Sequence, residues 1–346
     1  MRISGFTVVD ARATDTNFGI AVDGSSHVTI DHNHTVNTAS SGIIVWGSSD
    51  VLVEHNEVEL ACNAGAASEN ECLSIGETDT FEVRYNHVHD GNPVRGEGID
   101  AKDGSSNGLV YGNRVEGVQG VGIYVDAWDK PTSSIEVFAN LVHDVDGDGI
   151  AIGSEQGGQL SDVRVFNNLV SGAYWVGVNL HSCCTGSHPV SGVEVVNNTL
   201  YGNGTSGWGG RILDENDQAT GVVIRNNLCA GNHSFEIALE GGVGPGDITA
   251  DHNLIEAYHG YTGETCGADC VVGDPLLVAP ASGDYHLEAG SPAIDAGSAT
   301  GAPAVDCDGT PRPQGPGFDI GAFEHGGGSI FTDGFESGDT SAWTTQ

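Results

Sequence analysis

Short runs in which apolar side chains alternate with small or polar ones recur along the chain: Gly19-Ile20-Ala21-Val22-Asp23, Gly42-Ile43-Ile44-Val45-Trp46, Gly98-Ile99-Asp100-Ala101-Lys102, Gly122-Ile123-Tyr124-Val125-Asp126, Gly149-Ile150-Ala151-Ile152-Gly153 and Gly177-Val178-Asn179-Leu180-His181. A period of two turns Ile99, Ala101, Ile123, Val125, Val178 and Leu180 to one face and the intervening residues to the other. In step with these runs, an asparagine follows a second strand at Asn33, Asn56, Asn86, Asn113 and Asn140, then at Asn167-Asn168, Asn197-Asn198, Asn226-Asn227 and Asn253, at a mean spacing of about 27 residues. No window shows a sustained helical period. Two short strands and tight turns per period, with no helix between them, predict an all-β parallel solenoid. In such a stack each coil lies about 4.8 Å above the last, so equivalent side chains form ladders. An inward asparagine at each turn can pass amide hydrogen bonds along the stack. The nine asparagine positions are read as structural, and so are His32, His55 and His252 beside them.

Composition agrees: 53 glycines and one methionine suit turns and β-strands. A formal net charge of -37 repels nucleic acid and favours bound cations. None of the eight cysteines has zinc-site spacing. The spaced pairs Cys62 with Cys72 and Cys266 with Cys270 read as loop staples in an oxidising compartment, while Cys183-Cys184, Cys229 and Cys307 are left without assigned partners. No signal peptide and no apolar run of membrane-spanning length is present. The chain opens directly on strand-like sequence, Ile3 to Val9, as though an upstream segment preceded it.

Over roughly residues 1 to 260 these repeats resemble the right-handed parallel β-helix superfamily of pectate-lyase-like proteins, and the handedness is implied by that resemblance. About ten coils are expected over residues 1–272. The stretch with Gly273-Asp274-Pro275-Leu276, Gly290-Ser291-Pro292-Ala293-Ile294-Asp295-Ala296-Gly297 and Asp319-Ile320-Gly321-Ala322-Phe323-Glu324 is similar to the closing segment of secreted bacterial β-helices. It predicts an irregular cap over 273–326, followed by a tail over 327–346. An extracellular or cell-surface location and a monomeric state are expected.

Lysine occurs only at Lys102 and Lys130, and the first lies inside a strand pattern beside Asp100. Stacking the outward positions coil by coil gives a column of Asp23, Trp46, Gly76, Lys102, Asp126, Gly153, His181, Asp214 and Glu240. Beside it stand Ala21, Ile44, Ser74, Asp100, Tyr124, Ala151 and Asn179. Small residues flank a polar cluster and predict a groove, with Glu77, Glu97, Asp129, Lys130 and Glu155 in adjoining turns and loop insertions as walls. One reading is a solvated acidic face on which Lys102 merely neutralises its neighbours. The other is an acidic groove for Ca²⁺, with Glu97, Asp100, Asp126 and Asp129 as ligands, because such carboxylates repel one another unless a cation sits among them.

The segment Glu97-Gly98-Ile99-Asp100-Ala101-Lys102 resembles the glutamate and lysine arrangement of β-helix chondroitinase and alginate lyases, whose lysine is the catalytic base beside a Ca²⁺ site. That resemblance implies Lys102 as base. The arginine that assists in those enzymes has no counterpart in Gly122-Ile123-Tyr124-Val125-Asp126, so Tyr124 or His181 is the candidate acid. Trp128, Asn179, Glu155 and Lys130 are candidate substrate contacts. The expected function is an extracellular lyase that cleaves an acidic, uronate-containing polysaccharide by Ca²⁺-assisted β-elimination. A glycoside hydrolase with Asp214 and Glu240 as paired acids, a uronate epimerase, and a non-catalytic carbohydrate-binding adhesin are the alternatives. His87, His89 and His143 read as turn hydrogen-bonders, and Asp144 to Gly149 as a solvated turn.

Overall fold

The computed structural model describes residues 1–14, 17–64, 71–91, 96–182 and 186–326. Among these residues, successive coils contribute strands to three parallel sheets, as the period requires. A long-strand sheet runs from Arg2–Ser4 through Thr132–Phe138 to Ile248–Asp251. A short-strand sheet runs from Thr7–Val9 through Glu57–Glu59 and His87–His89 to Val271–Val272. The third, called the groove sheet below, runs from Ile20–Asp23 through Leu73–Gly76, Ile99–Lys102, Ile123–Ala127, Ile150–Ser154 and Val178–His181 to Ile237–Leu239. The chain is a right-handed parallel β-solenoid of about nine turns.

Inside the solenoid, in-register apolar residues stack as columns. Ile99 pairs with Ile123, Ile123 with Ile150, Ile150 with Val178 and Val178 with Ile212, all fully buried. The glycines that open these strands occupy one equivalent position, where the coils touch. A Cβ on Gly98 would lie 2.3 Å from the carbonyl of Gly122, and one on Gly122 would lie 2.6 Å from that of Gly149. Only a residue without a side chain allows the backbones to approach so closely.

At the corner after the long strand, the asparagines form a continuous buried ladder. From Asn33 through Asn56, Asn86, Asn113, Asn140, Asn168, Asn198 and Asn227 to Asn253, each side-chain oxygen accepts from the backbone N–H and the Nδ2 of the previous asparagine at 2.9–3.1 Å. The residue before each is left-handed, from His32 (φ 54°) to His252 (φ 52°). Its side chain faces out, so His32, His55 and Tyr85 stack on one another.

The doubled asparagines have a second purpose. The first of each pair docks the C-terminal segment: Asn167 Nδ2 donates to the Val305 carbonyl, Asn197 Nδ2 to those of Asp319 and Gly321, and Asn226 Nδ2 to that of Ser298. In this segment Leu277, Tyr285, Leu287, Ala293, Ile320, Ala322 and Phe323 pack on Leu141, Leu169, Leu228 and Leu254, the outward residues of the short-strand sheet. It therefore covers the flank of several coils.

Three expectations are corrected here. His87, His89 and His143 lie in strands, His87–His89 and Leu141–His143, rather than in turns. Cys266 and Cys270 are bridged, but Cys72 is a buried free thiol, so the expected staple to Cys62 is not formed. Asp148 is buried, accepting from Val176 N and Asn179 Nδ2, and is no solvated turn residue. Cys183, Cys184 and the tail over 327–346 lie outside the described residues.

Replacing Asn113 by alanine strips the partner from the buried Asn86 N–H and the donor from the Val83 carbonyl. A loss of about 2 to 4 kcal/mol is expected, since each buried group left unpaired costs about 1 to 3 kcal/mol. Equilibrium denaturation measures it, and a change within about 0.5 kcal/mol, the ordinary range for surface substitutions, would refute the structural role.

Candidate functional site

The strand Ile99–Lys102 lies between Leu73–Gly76 and Ile123–Ala127. Since Ile99 and Ala101 enter the core, Asp100 and Lys102 face outward. Register places Ser74, Asp100, Tyr124, Ala151 and Asn179 in one column, with Gly76 beside Lys102 and Asp126, Gly153 and His181 in line beyond it. The expected column is present down to His181. At the next strand it slips by one residue: Asp214 pairs with Leu180, Glu215 comes to 3.8 Å from His181 Nε2, and Asp214 pairs in turn with Leu239, which returns Glu240 to the column. Ile212 and Leu213 are both apolar, so alternation alone does not say which enters the core. Ile212 does, and Leu213 packs outside against Val176, Phe235 and Ala238.

Outward does not mean exposed. Ser74, Asp100, Tyr124, Asp126 and Asn179 are all buried, whereas the Lys102 side chain keeps 20% of its surface. Its Nζ lies 2.5 Å from Glu71 Oε1, a hydrogen bond, and 3.1 Å from Asp100 Oδ2 without hydrogen-bond alignment. Glu71 escaped the sequence reading. It stands two residues before its strand as Glu97 does in the next coil, and their backbones are joined through Cys72 N and Glu97 O at 2.7 Å. That equivalence of position is the signal by which it could have been found.

Five carboxylates, Glu71, Glu97, Asp100, Asp126 and Glu155, thus surround one lysine. Burial by itself would lower the Lys102 pKa, but Asp100, Glu71 and Asp126 outweigh it and raise it well above the ordinary value. Burial, opposed by Lys102 and reinforced by Glu155 and Glu71, pushes the Asp126 carboxyl up to about 7. Burial also raises Glu97 and Asp100, with Glu71 adding to the first and Lys102 opposing the second. The cluster holds more negative charge than its one cation offsets, and it must take up protons or a further cation.

An oxygen-seeking cation fits. One carboxylate oxygen from each of Glu71, Glu97 and Asp100 lies within 4.8 Å of the others, which is the spread of ligands placed about 2.3 to 2.6 Å from a shared Ca²⁺. Glu71 Oε2, both Asp100 oxygens and Asp126 Oδ1 are buried without hydrogen-bond partners. Buried carboxylate oxygens in that condition are costly unless an ion or water meets them.

The remaining candidates fall into separate groups. Tyr124 donates its hydroxyl hydrogen to Glu155 Oε1 at 2.8 Å, lying across Gly153, where a Cβ would stand 2.9 Å from the phenol oxygen. Burial, then Asp126 and Glu155, raises its pKa well above the ordinary value. Lys130 ion-pairs with Glu77, which also accepts from Trp46 Nε1 at 2.9 Å. Asp129 is exposed, and its backbone N–H, like that of Lys130, donates to Asp103 Oδ1. Trp128 is 47% exposed in the same turn. Asn179 Nδ2 donates to Asp148 Oδ2 at 2.9 Å, which places Asn179 with Asp148, His181 and Glu215 farther along the groove. The structure thus brings Glu97, Asp100, Lys102, Tyr124, Asp126 and Glu155 together and leaves Asp129 and Lys130 at the rim.

Fold and site together define a parallel β-solenoid with an acidic, lysine-centred cluster on the outer side of one sheet. A family model described as the right-handed beta helix region matches residues 18–200, more than half the chain, and the protein belongs to that family. Its structure is similar to that of pectate lyase Pel9A, at 16% identity and a TM-score of 0.59, covering 92% of this chain and 76% of that one. It is also similar to the tailspike protein of E. coli bacteriophage HK620 in complex with a pentasaccharide, at 14% identity and a TM-score of 0.60, covering 75% of this chain and 48% of that one. The chain thus spans about half the tailspike's length. At these identities the likeness establishes the fold. No curated protein sequence matches. No helix among the described residues is long and apolar enough to cross a membrane.

The Asp126 carboxyl titrates near pH 7 when folded and near about 3.9 when unfolded. Between these values the folded chain holds the extra proton, so this group makes stability fall as pH rises, and the effect levels off above about 7. In chelator-containing buffer, Asp126→Asn should gain on the parent chain across that window. Denaturant titrations over a pH series test this, and a pH-independent difference would reject the assignment.

Proposed function

We propose that the chain is a polysaccharide lyase acting on a uronate-containing polymer, with Lys102 as the base. The observation that carries this reading is the placement of Lys102. On a floor whose neighbouring side chains are buried, its side chain keeps part of its surface exposed while its amine touches Glu71 and Asp100. The fold is one that a pectate lyase and a pentasaccharide-binding tailspike also use. A location outside the cell, where such polymers are found, follows from the same reading.

The reaction balances as a β-elimination. The proton on the carbon next to the uronate carboxylate passes to Lys102 Nζ, and the electron pair of that C–H bond becomes the new C=C bond. The glycosidic C–O bond breaks with its pair on the leaving oxygen, which takes a proton from an acid. Register favours Tyr124 over His181 as that acid. Tyr124 is on the strand next to Lys102, whereas His181 lies three strands away, about 14 Å at the usual strand spacing. The Tyr124 hydroxyl must first leave Glu155.

Lys102 must be neutral to accept a proton, and its carboxylates hold it charged. Glu71, Glu97 and Asp100, with Asp126 nearby, would hold Ca²⁺, and its charge would offset the charge developing on the substrate carboxylate and lower the lysine's affinity for its proton. Glu71 therefore takes the ligand position first given to Asp129. Trp128 offers an exposed ring for stacking on a sugar, with Lys130 exposed in the same turn. An acidic polymer meeting a chain of net charge -37 needs bridging cations for the same electrostatic reason.

The test is ultraviolet absorbance of unsaturated uronate products on alginate, pectate, chondroitin sulfate and hyaluronan, each with Ca²⁺ and with chelator. A Ca²⁺-dependent rise on one substrate is expected, lowered about 10²- to 10⁴-fold in Lys102→Ala, the usual worth of a positioned general base, with unchanged circular dichroism. Reducing sugar without absorbance would replace the lyase with a hydrolase. Altered uronate stereochemistry without cleavage would indicate an epimerase, and binding without turnover a carbohydrate-binding protein.

A further inference from the structure

We propose that Glu57, His87 and His89, on the outer face of the short-strand sheet, form a binding site for a divalent transition-metal ion of the Zn²⁺ class. The site is separate from the groove and independent of the lyase reading.

A His-x-His run on a β-strand turns both rings to one face, because side chains alternate. Val88 enters the core, and the two imidazoles stand outside with ring centroids 4.2 Å apart. On the neighbouring coil, Glu57 pairs in register with His87 and Glu59 with His89. The Glu57 carboxylate leans diagonally to bring Oε1 within 3.2 Å of His89 Nε2. One ligand atom from each of Glu57, His87 and His89 lies within 4.8 Å of the others. The edge of a tetrahedron with metal bonds of about 2.0 to 2.1 Å is about 3.3 Å, which the 3.2 Å between Glu57 Oε1 and His89 Nε2 already matches, so small side-chain rotations bring the three ligand atoms round an ion.

Carboxylates outside the triad hold each imidazole by one nitrogen, leaving the other for a metal. Asp90 Oδ2 lies 2.9 Å from His89 Nδ1, and Glu116 Oε1 lies 2.7 Å from His87 Nε2. Such a partner fixes the ring's orientation and tautomer and raises its basicity as a ligand. Glu116 is itself fixed by Arg114 and by His143 Nε2 at 2.7 Å. The side chains of His87 and His89 are 17% and 14% exposed and that of Glu57 46%, so the site is shielded yet open for a water as fourth ligand. Two imidazoles and one carboxylate suit zinc and its neighbours, whereas the all-oxygen triad of the groove suits Ca²⁺. An ion here would tie together two coils 30 residues apart in sequence, joined at Asn56 and Asn86. A nearby group, His34, Glu57 and Glu59, shares Glu57 and is the competing location for the same ion.

Zn²⁺ is titrated into the full chain, previously stripped with chelator, against a chromophoric zinc indicator at neutral pH. The parent chain should take up one Zn²⁺ with a rise in melting temperature. His87→Gln, His89→Gln and Glu57→Gln should each weaken uptake at least about tenfold, the lower end of what even an outer partner is worth. Asp100→Asn, in the groove, should keep it. Circular dichroism checks folding, and Glu57→Gln, at the most exposed of the three positions, carries the test if a histidine variant does not fold. No uptake by the parent chain, equal uptake by His89→Gln, or loss in His34→Gln with His89→Gln unaffected would each overturn the assignment.

Discussion

Everything in this molecule depends on the exact repetition of one corner. The asparagine ladder from Asn33 to Asn253 lets each coil satisfy the buried N–H of the coil beside it, and a one-residue slip would leave those groups unpaired on both sides. The left-handed residue before each asparagine and the glycine that opens each groove strand serve the same register. Because the corner is fixed, residues far apart in sequence come to equivalent places. Glu71, Asp100, Asp126 and Lys102 meet as neighbours although no local segment contains them all.

A rigid sheet makes such a cluster possible. Buried carboxylates without partners are destabilising, and a flexible loop would relax them into solvent. Here Asp100 and Asp126 sit on strands hydrogen-bonded on both sides, in a sheet whose opposite face is packed core. The solenoid's stability is distributed over many coils, so two or three of them can carry an unfavourable charge arrangement. The unfavourable term is then available to whatever relieves it, a cation or a substrate carboxylate with its counterion.

How much of this was legible in the sequence follows from the same physics. The period, the core columns and the outward position of Lys102 were legible because alternation and in-register stacking are properties of the pattern itself. The register at Asp214 was not, since Ile212 and Leu213 offer two acceptable inward choices and only packing against Phe235 separates them. Burial of Asp100 and Tyr124 was not either, because an outward side chain is covered by neighbours that lie outside its own strand. Lys130 was assigned to the cleft by proximity in sequence to Asp126, yet the turn held by Asp103 directs it to Glu77. Glu71 was hidden for a simpler reason: it adjoins a loop insertion that interrupts the repeat, though its equivalence to Glu97 survives the interruption.

Alternation has a further consequence on the short-strand sheet. Each of its three-residue strands sends one side chain inward and two outward, so outward chemistry varies without cost to the core at Val58, Val88 and Val115. From Glu59 through His89 and Glu116 to His143 one outward column alternates glutamate and histidine, and beside it stand His34, Glu57, His87 and Arg114. In the later coils they carry Leu169, Leu228 and Leu254, on which the C-terminal segment lies. The boundary falls at Leu141–His143, one strand that presents a leucine to the docked segment and a histidine to Glu116. One sheet thus divides into a polar half and a covered half, with neither division visible from the core.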